Sequence, residues 1–145
     1  MKNVILLSLL FLCASNYASS ATRYWVGGTG NWSDITHWSV ASGGGGGASV
    51  PATDDDVLFD ASSGLTAPSV VTLNIAIIIN SIDFSGVATG FVFDSPVVLG
   101  IEFRGSIVGN VSGVTFTGTW PIIDMNTTLT GESITSGGTI WVQGF

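Results

Sequence analysis

An all-β protein of short stacked strands is what this chain predicts, and three observations lead there. Beyond residue 20, Val, Ile, Thr, Phe and Trp alternate with Gly, Ser and Asn, while the helix formers Ala, Leu, Glu and Lys are sparse. A five-residue unit (apolar, any, apolar, any, glycine) then recurs along the second half. Finally, three of the five tryptophans fall close together near the start, among glycines and small polar residues. The expected architecture is a β-solenoid opened by a tryptophan-rich β cap, with an antiparallel β-sandwich as the alternative.

The chain divides into three parts, taken here in order. Residues 1–20 read as a secretory signal peptide. Met1-Lys2-Asn3 is a short positive start, Val4 to Ala14 is an uncharged apolar run, and Ala18 and Ser20 stand at the small positions before a cleavage site. The run is well short of the roughly 20 residues that span a bilayer, so no membrane span is expected. Leu12 ahead of Cys13 does not fit a lipid-anchored cysteine. The expected location is secreted or cell-surface.

Cleavage after Ser20 removes the only cysteine and the only lysine of the 145-residue chain. Ten carboxylates then face Arg23 and Arg104, a balance of −8 that argues against nucleic acid and anionic membranes as partners. Disulfides are excluded in the processed protein.

Residues 21–62 form the expected cap. Trp25, Trp32 and Trp38 are read as one cluster covering the first rung, their indole N–H groups bound to nearby acceptors. Ser42 to Ser49, with five consecutive glycines at 43–47, reads as a flexible surface loop joining two strands of the cap.

Residues 63–145 carry the repeated unit: Ile82-Asp83-Phe84-Ser85-Gly86, Ile101-Glu102-Phe103-Arg104-Gly105, Val114-Thr115-Phe116-Thr117-Gly118 and Ile140-Trp141-Val142-Gln143-Gly144, with a weaker copy at Thr127 to Gly131. The last four glycines are 13 residues apart. Period-two alternation makes each unit a strand with one buried face, so Phe84, Phe103, Phe116, Leu129 and Val142 are expected to point inward. So short a unit cannot cover its own apolar face, and neighbours must share a core. The chain stops at Phe145 soon after a unit has begun, so it reads as truncated. A stack ending there exposes unpaired backbone, and self-association through that end is expected as salt screens the acidic surface.

Tyr24-Trp25-Val26-Gly27-Gly28-Thr29-Gly30-Asn31-Trp32-Ser33, His37-Trp38-Ser39, Asp55-Asp56-Val57-Leu58-Phe59-Asp60, Ser81 to Gly86 and Ile134 to Gly138 together resemble the amino-terminal region of large secreted, adhesin-like proteins of Bacteroidetes-type bacteria. The pattern is similar to autotransporter-associated β-strand repeats. That resemblance implies a right-handed parallel β-helix and an adhesive or structural role outside the cell, with an extracellular glycan or cell-surface partner. It implies no activity.

Candidate chemistry is thin. Asp54, Asp55, Asp56 and Asp60 are the one acidic cluster that could hold calcium through hard oxygen ligands, although their spacing fits no calcium-loop motif. The competing reading puts Asp54 and Asp55 in a turn, with Asp56 and Asp60 facing solvent on a strand that buries Val57 and Phe59. His37 has no second histidine or cysteine for zinc, and reads as a hydrogen-bonded ring packed on tryptophan. No nucleophile elbow appears, so no catalytic residue and no cofactor are expected. A fragment of a carbohydrate-active enzyme is the alternative, and it needs Asp83, Asp94, Glu102 and Asp124 to converge. Sequons at Asn31, Asn110 and Asn126 read as turn residues. A threonine row at Thr115, Thr117 and Thr119 would suit ordered water, but is not repeated in neighbouring units.

Overall fold

A computed structural model gives the structure of the protein and describes residues 20–87, 90–108, 114–119, 122–125 and 141–143, the last two segments by backbone alone. It is all-β, with a single short 3-10 turn at Ile35–His37 among the described residues. The strands are β1 (Thr22–Trp25), β2 (Gly30–Asn31), β3 (Trp38–Ser39), β4 (Asp56–Leu58), β5 (Val70–Thr72), β6 (Ile77–Ile79) and β7 (Ser81–Asp83). They continue as β8 (Phe91–Ser95), β9 (Ile101–Phe103), β10 (Ile107–Val108), β11 (Val114–Gly118), β12 (Ile122–Met125) and β13 (Trp141–Gln143).

Three sheets share these strands, in the orders β10-β7-β4-β1-β3, β11-β8-β5-β2 and β13-β12-β9-β6. From β4 to β12 consecutive strands visit the first, second and third sheet in turn. Among the described residues every pairing is parallel except β1 with β3. The antiparallel sandwich is therefore not the arrangement found.

The even 13-residue spacing of the glycines does not set the stacking. Ile82 faces Val57 on one side and Ile107 on the other, each 25 residues away, whereas Val71 faces Phe93 and Ile101 faces Ile123, each 22 away. The units around Phe84, Phe103 and Phe116 fall on three different sheets. Turn length varies from cycle to cycle because only the strands must stay in register, which a spacing count over glycines does not report.

Alternation decides which side chains are inside. β6 and β9 bury their first and third residues and leave the second outward, and β8 buries its first, third and fifth. β-Branched and aromatic residues fill these positions, as parallel strands buried on one face require. Phe84, Phe103 and Phe116 are buried; Leu129 lies outside the described residues, and of Val142 only the backbone pairing with Ile123 is described. Residues 1–19 and the terminal Gly144 and Phe145 also lie outside the described residues.

Rings stack along the axis of the core. His37 lies on Trp25 at 4.8 Å and 7°, Trp25 on Phe59 at 5.8 Å and 25°, and Phe59 on Phe84 at 5.2 Å and 28°. Trp25, Phe59 and Phe84 come from or directly follow β1, β4 and β7, successive parallel strands of the first sheet, so the column joins the cap to the strands beside it. Phe93 meets Trp32, Phe59 and Phe116 edge to face. Such pairs add about 0.5–1.5 kcal/mol each beyond the area they bury.

Trp25, Trp32 and Trp38 are completely buried and in mutual contact, Trp38 standing edge to face with Trp25 at 5.0 Å and with Trp32 at 4.7 Å. Two indoles have acceptors: Trp25 Nε1 donates to Gly28 O and Trp38 Nε1 to Trp32 O, both at 2.7 Å. The third departs from expectation. Trp32 Nε1 is buried without a hydrogen-bond partner among the described residues, its ring held edge to face by Trp38 and Phe93. Trp38→Phe should therefore cost about 1 kcal/mol or more beyond Trp32→Phe, because it strands the buried Trp32 carbonyl. Urea denaturation of both variants checks this, and an equal or larger loss at Trp32 contradicts it.

The glycine-rich segment does not hang free. Gly44 N–H donates to Ala41 O, Gly47 N–H to Ile35 O and Ala48 N–H to Trp38 O, which lays the run along the 3-10 turn on its way from β3 to β4. A side chain on Gly46 would overlap the backbone of Thr36. Glycine is there for close approach, not for flexibility.

Candidate functional site

The outer face of the first sheet carries a concavity that combines an aromatic ring with polar groups. Tyr24, Leu58, Asp83 and Val108 are register partners on β1, β4, β7 and β10. Thr22, Asp56 and Ser81 form a second row two residues earlier on the first three of these strands. Their core-facing neighbours Val57, Ile82 and Ile107 are buried, so alternation sends both rows outward. With strands roughly 4.8 Å apart, each row presents one side chain per strand spacing. Together they line an open groove of about 300 Å³.

The groove is acidic. Asp56 Oδ1 accepts from the Asn80 amide at 2.7 Å, and Asp83 Oδ1 accepts from Ser85 N–H at 2.7 Å. Each carboxylate keeps a second oxygen that no described residue engages. Neither arginine lines the groove: Arg104 pairs with Glu102 at 2.9 Å on the third sheet, and Arg23 reaches the Ser49 hydroxyl at 2.9 Å. A ligand here would meet a tyrosine ring, two apolar side chains, two hydroxyls and two carboxylate acceptors.

The four aspartates read as a calcium candidate do not come together. Asp54 is exposed, Asp55 is buried against backbone N–H groups of Ala21 and Ala52, Asp56 faces the groove, and Asp60 Oδ1 accepts from Ser62 N–H at 2.8 Å. Among the described residues no three His, Cys, Asp or Glu side chains form a group that could hold a metal ion. The turn-and-strand reading places Val57 and Phe59 inside, as the structure does, but it misses the burial of Asp55.

The carboxylates that a glycosidase would need are also dispersed. Asp83 lies on the first sheet, Asp94 on the second, where it accepts from the Thr117 hydroxyl at 2.7 Å, and Glu102 and Asp124 on the third. Only Glu102 and Asp124 are neighbours in register.

His37 is a structural latch. Its Nδ1 lies 2.7 Å from Val26 O, while Val26 N–H donates back to His37 O at 2.9 Å. A side chain on Gly30 would occupy the space of the imidazole ring. The glycines between Trp25 and Trp32 thus make room for a histidine stacked on Trp25. Asp34 caps the 3-10 turn, and hydrogen bonds from the Thr36 hydroxyl and N–H hold its carboxyl below the usual carboxylate range.

The groove is not legible in the sequence, which places Tyr24 in the cap segment and Asp83 in a repeated unit. The signal was the outward position of both in the alternation, but only the register sets them side by side. No family model, no curated protein and no solved structure matches this chain.

Proposed function

We propose that this chain is a secreted or cell-surface, non-catalytic module built as the opening of a right-handed parallel β-helix, with adhesion or scaffolding outside the cell as its role. The observation that carries the reading is the return of successive strands to three sheets in parallel register, with aromatic rings stacked between cycles. Such a stack offers long outward faces, and its first face holds the groove. The likeness of the Trp-Gly opening to secreted adhesin-like proteins of Bacteroidetes-type bacteria supports export. The groove's Tyr24 ring, with Leu58 beside it and Val108 at the far end of the same row, offers a surface for the C–H face of a sugar, and the Asp56 and Asp83 carboxylates accept hydroxyl hydrogen bonds. A glycan is accordingly the partner the groove suits best.

The test is binding of the exported protein to a panel of immobilised glycans, with release of reducing ends followed in parallel. Binding without turnover is expected, weakened about tenfold or more by Tyr24→Ala or Asp83→Asn, a loss of roughly 1.4 kcal/mol. Turnover abolished by Glu102→Gln would instead establish the carbohydrate-active alternative.

A further inference from the structure

Asp55 is an unusual acid for this surface. It is 6% exposed, and no basic side chain pairs with it among the described residues. Its Oδ1 accepts from Ala21 N–H at 3.0 Å and its Oδ2 from Ala52 N–H at 2.9 Å. Both donors are neutral amides, so a cation at either position would turn an ordinary hydrogen bond into a charge-assisted one. Ala21 is meanwhile held in place, its carbonyl accepting from Asp56 N–H at 2.9 Å, one residue before the parallel ladder of Thr22 with Asp56 begins. The nitrogen of Ala21 is thus aimed at Asp55 by strand pairing. Ala18 and Ser20 meanwhile put the small residues of an export cleavage site directly before it.

We propose that the Ser20–Ala21 bond is the processing site of this chain and that the α-ammonium group released there docks on the buried carboxylate of Asp55, so that removal of the leader completes the cap. The inference rests on the export reading above. Hydrolysis by an export peptidase consumes one water. Its hydroxyl goes to the Ser20 carbonyl carbon, the C–N bond breaks with its electron pair on nitrogen, and Ala21 takes up protons from water to become a cation. A free α-amine ordinarily titrates near pH 8, so the new terminus is charged at neutral pH. The hydrogen bond to Asp55 then becomes charge-assisted, at a half-buried position against a buried carboxylate.

The processed chain contains no lysine, which makes the experiment clean, because an acetylating reagent directed at amines can modify only the terminus. The full chain is expressed in a host with a general export pathway, and the exported protein is weighed intact by mass spectrometry. A mass starting at Ala21 is expected. A different first residue overturns the site while leaving export standing, and an uncleaved chain retained in the cytoplasm overturns the export reading itself. Protein beginning at Ala21 is then acetylated and its unfolding compared with the untreated form. Acetylation should lower the folding equilibrium constant about tenfold or more, and should have no such effect on Asp55→Asn. Protein carrying one extra residue, Ser20, before Ala21 should show the same loss as acetylation, which keeps the test decisive if Asp55→Asn does not fold. Indifference of the untreated, acetylated and extended forms overturns the proposal.

Discussion

Phe59→Ala is expected to cost about 3–5 kcal/mol of folding stability, the range for removing a fully enclosed phenylalanine. The ring is 1% exposed and lies where the cap meets the strands. It stacks on Trp25, Phe84 and Phe91 at 5.8, 5.2 and 5.5 Å and also meets Trp32 and Phe93 at 6.4 and 6.1 Å. Those five rings are held by β1, by β8 and by the turns after β2 and β7, so none can move into the vacated space without leaving its own register. The cavity would therefore stay open, which puts the loss toward the upper part of the range. Urea denaturation followed by tryptophan fluorescence measures it directly, since the buried indoles of Trp25 and Trp32 lie against the site. Ile78→Thr, an outward position 41% exposed on β6, should change stability by less than about 0.5 kcal/mol. Equal effects of the two would mean that the aromatic column does not join cap to stack.

Gly46→Ala is expected to destabilise the cap by about 1–3 kcal/mol, while Gly45→Ala, one residue away, is neutral or stabilising by up to about 1 kcal/mol. A methyl group on Gly46 would overlap the carbonyl and Cα of Thr36, which are backbone atoms of the turn that presents His37 to Trp25. At Gly45 the same methyl group meets no atom within 4 Å, and its backbone is in a region open to other residues. There alanine removes only freedom of the unfolded chain. Opposite signs for adjacent glycines in a run of five would separate a packed segment from a floppy one. Thermal melts of the two variants decide the matter, and matching small effects would restore the flexible-loop reading.

Several features were legible before any coordinates. Alternation around Phe84, Phe103 and Phe116 marks the buried face of each strand, because a strand with one wet side has a strict period of two. The crowding of Trp25, Trp32 and Trp38 among small residues marks a cluster, since so much apolar surface has nowhere else to go. The reading of His37 as a ring packed on tryptophan rests on the same logic of missing partners, and the structure stacks it on Trp25. Less visible was the glycine run, whose composition is the same for a free loop and for a segment pressed against a backbone.

By itself, then, the order of residues determined that the chain is all-β, which side of each unit is apolar and where the aromatic cap lies, all properties of local periodicity and composition. Tertiary structure alone decided which strand joins which sheet, because the parallel returns to a sheet take 34 and 41 residues from β1 and β2 and 19 to 25 from β4 onward, through turns of unequal length. It also set Tyr24 beside Leu58 and Asp83, buried Asp55 in front of Ala21, and dispersed Asp94 and Glu102 to other sheets. The physical reason is common to all three. A side chain's neighbours across a parallel sheet are fixed by register between distant segments, and register is chosen by the packing of the whole core rather than by any stretch of sequence.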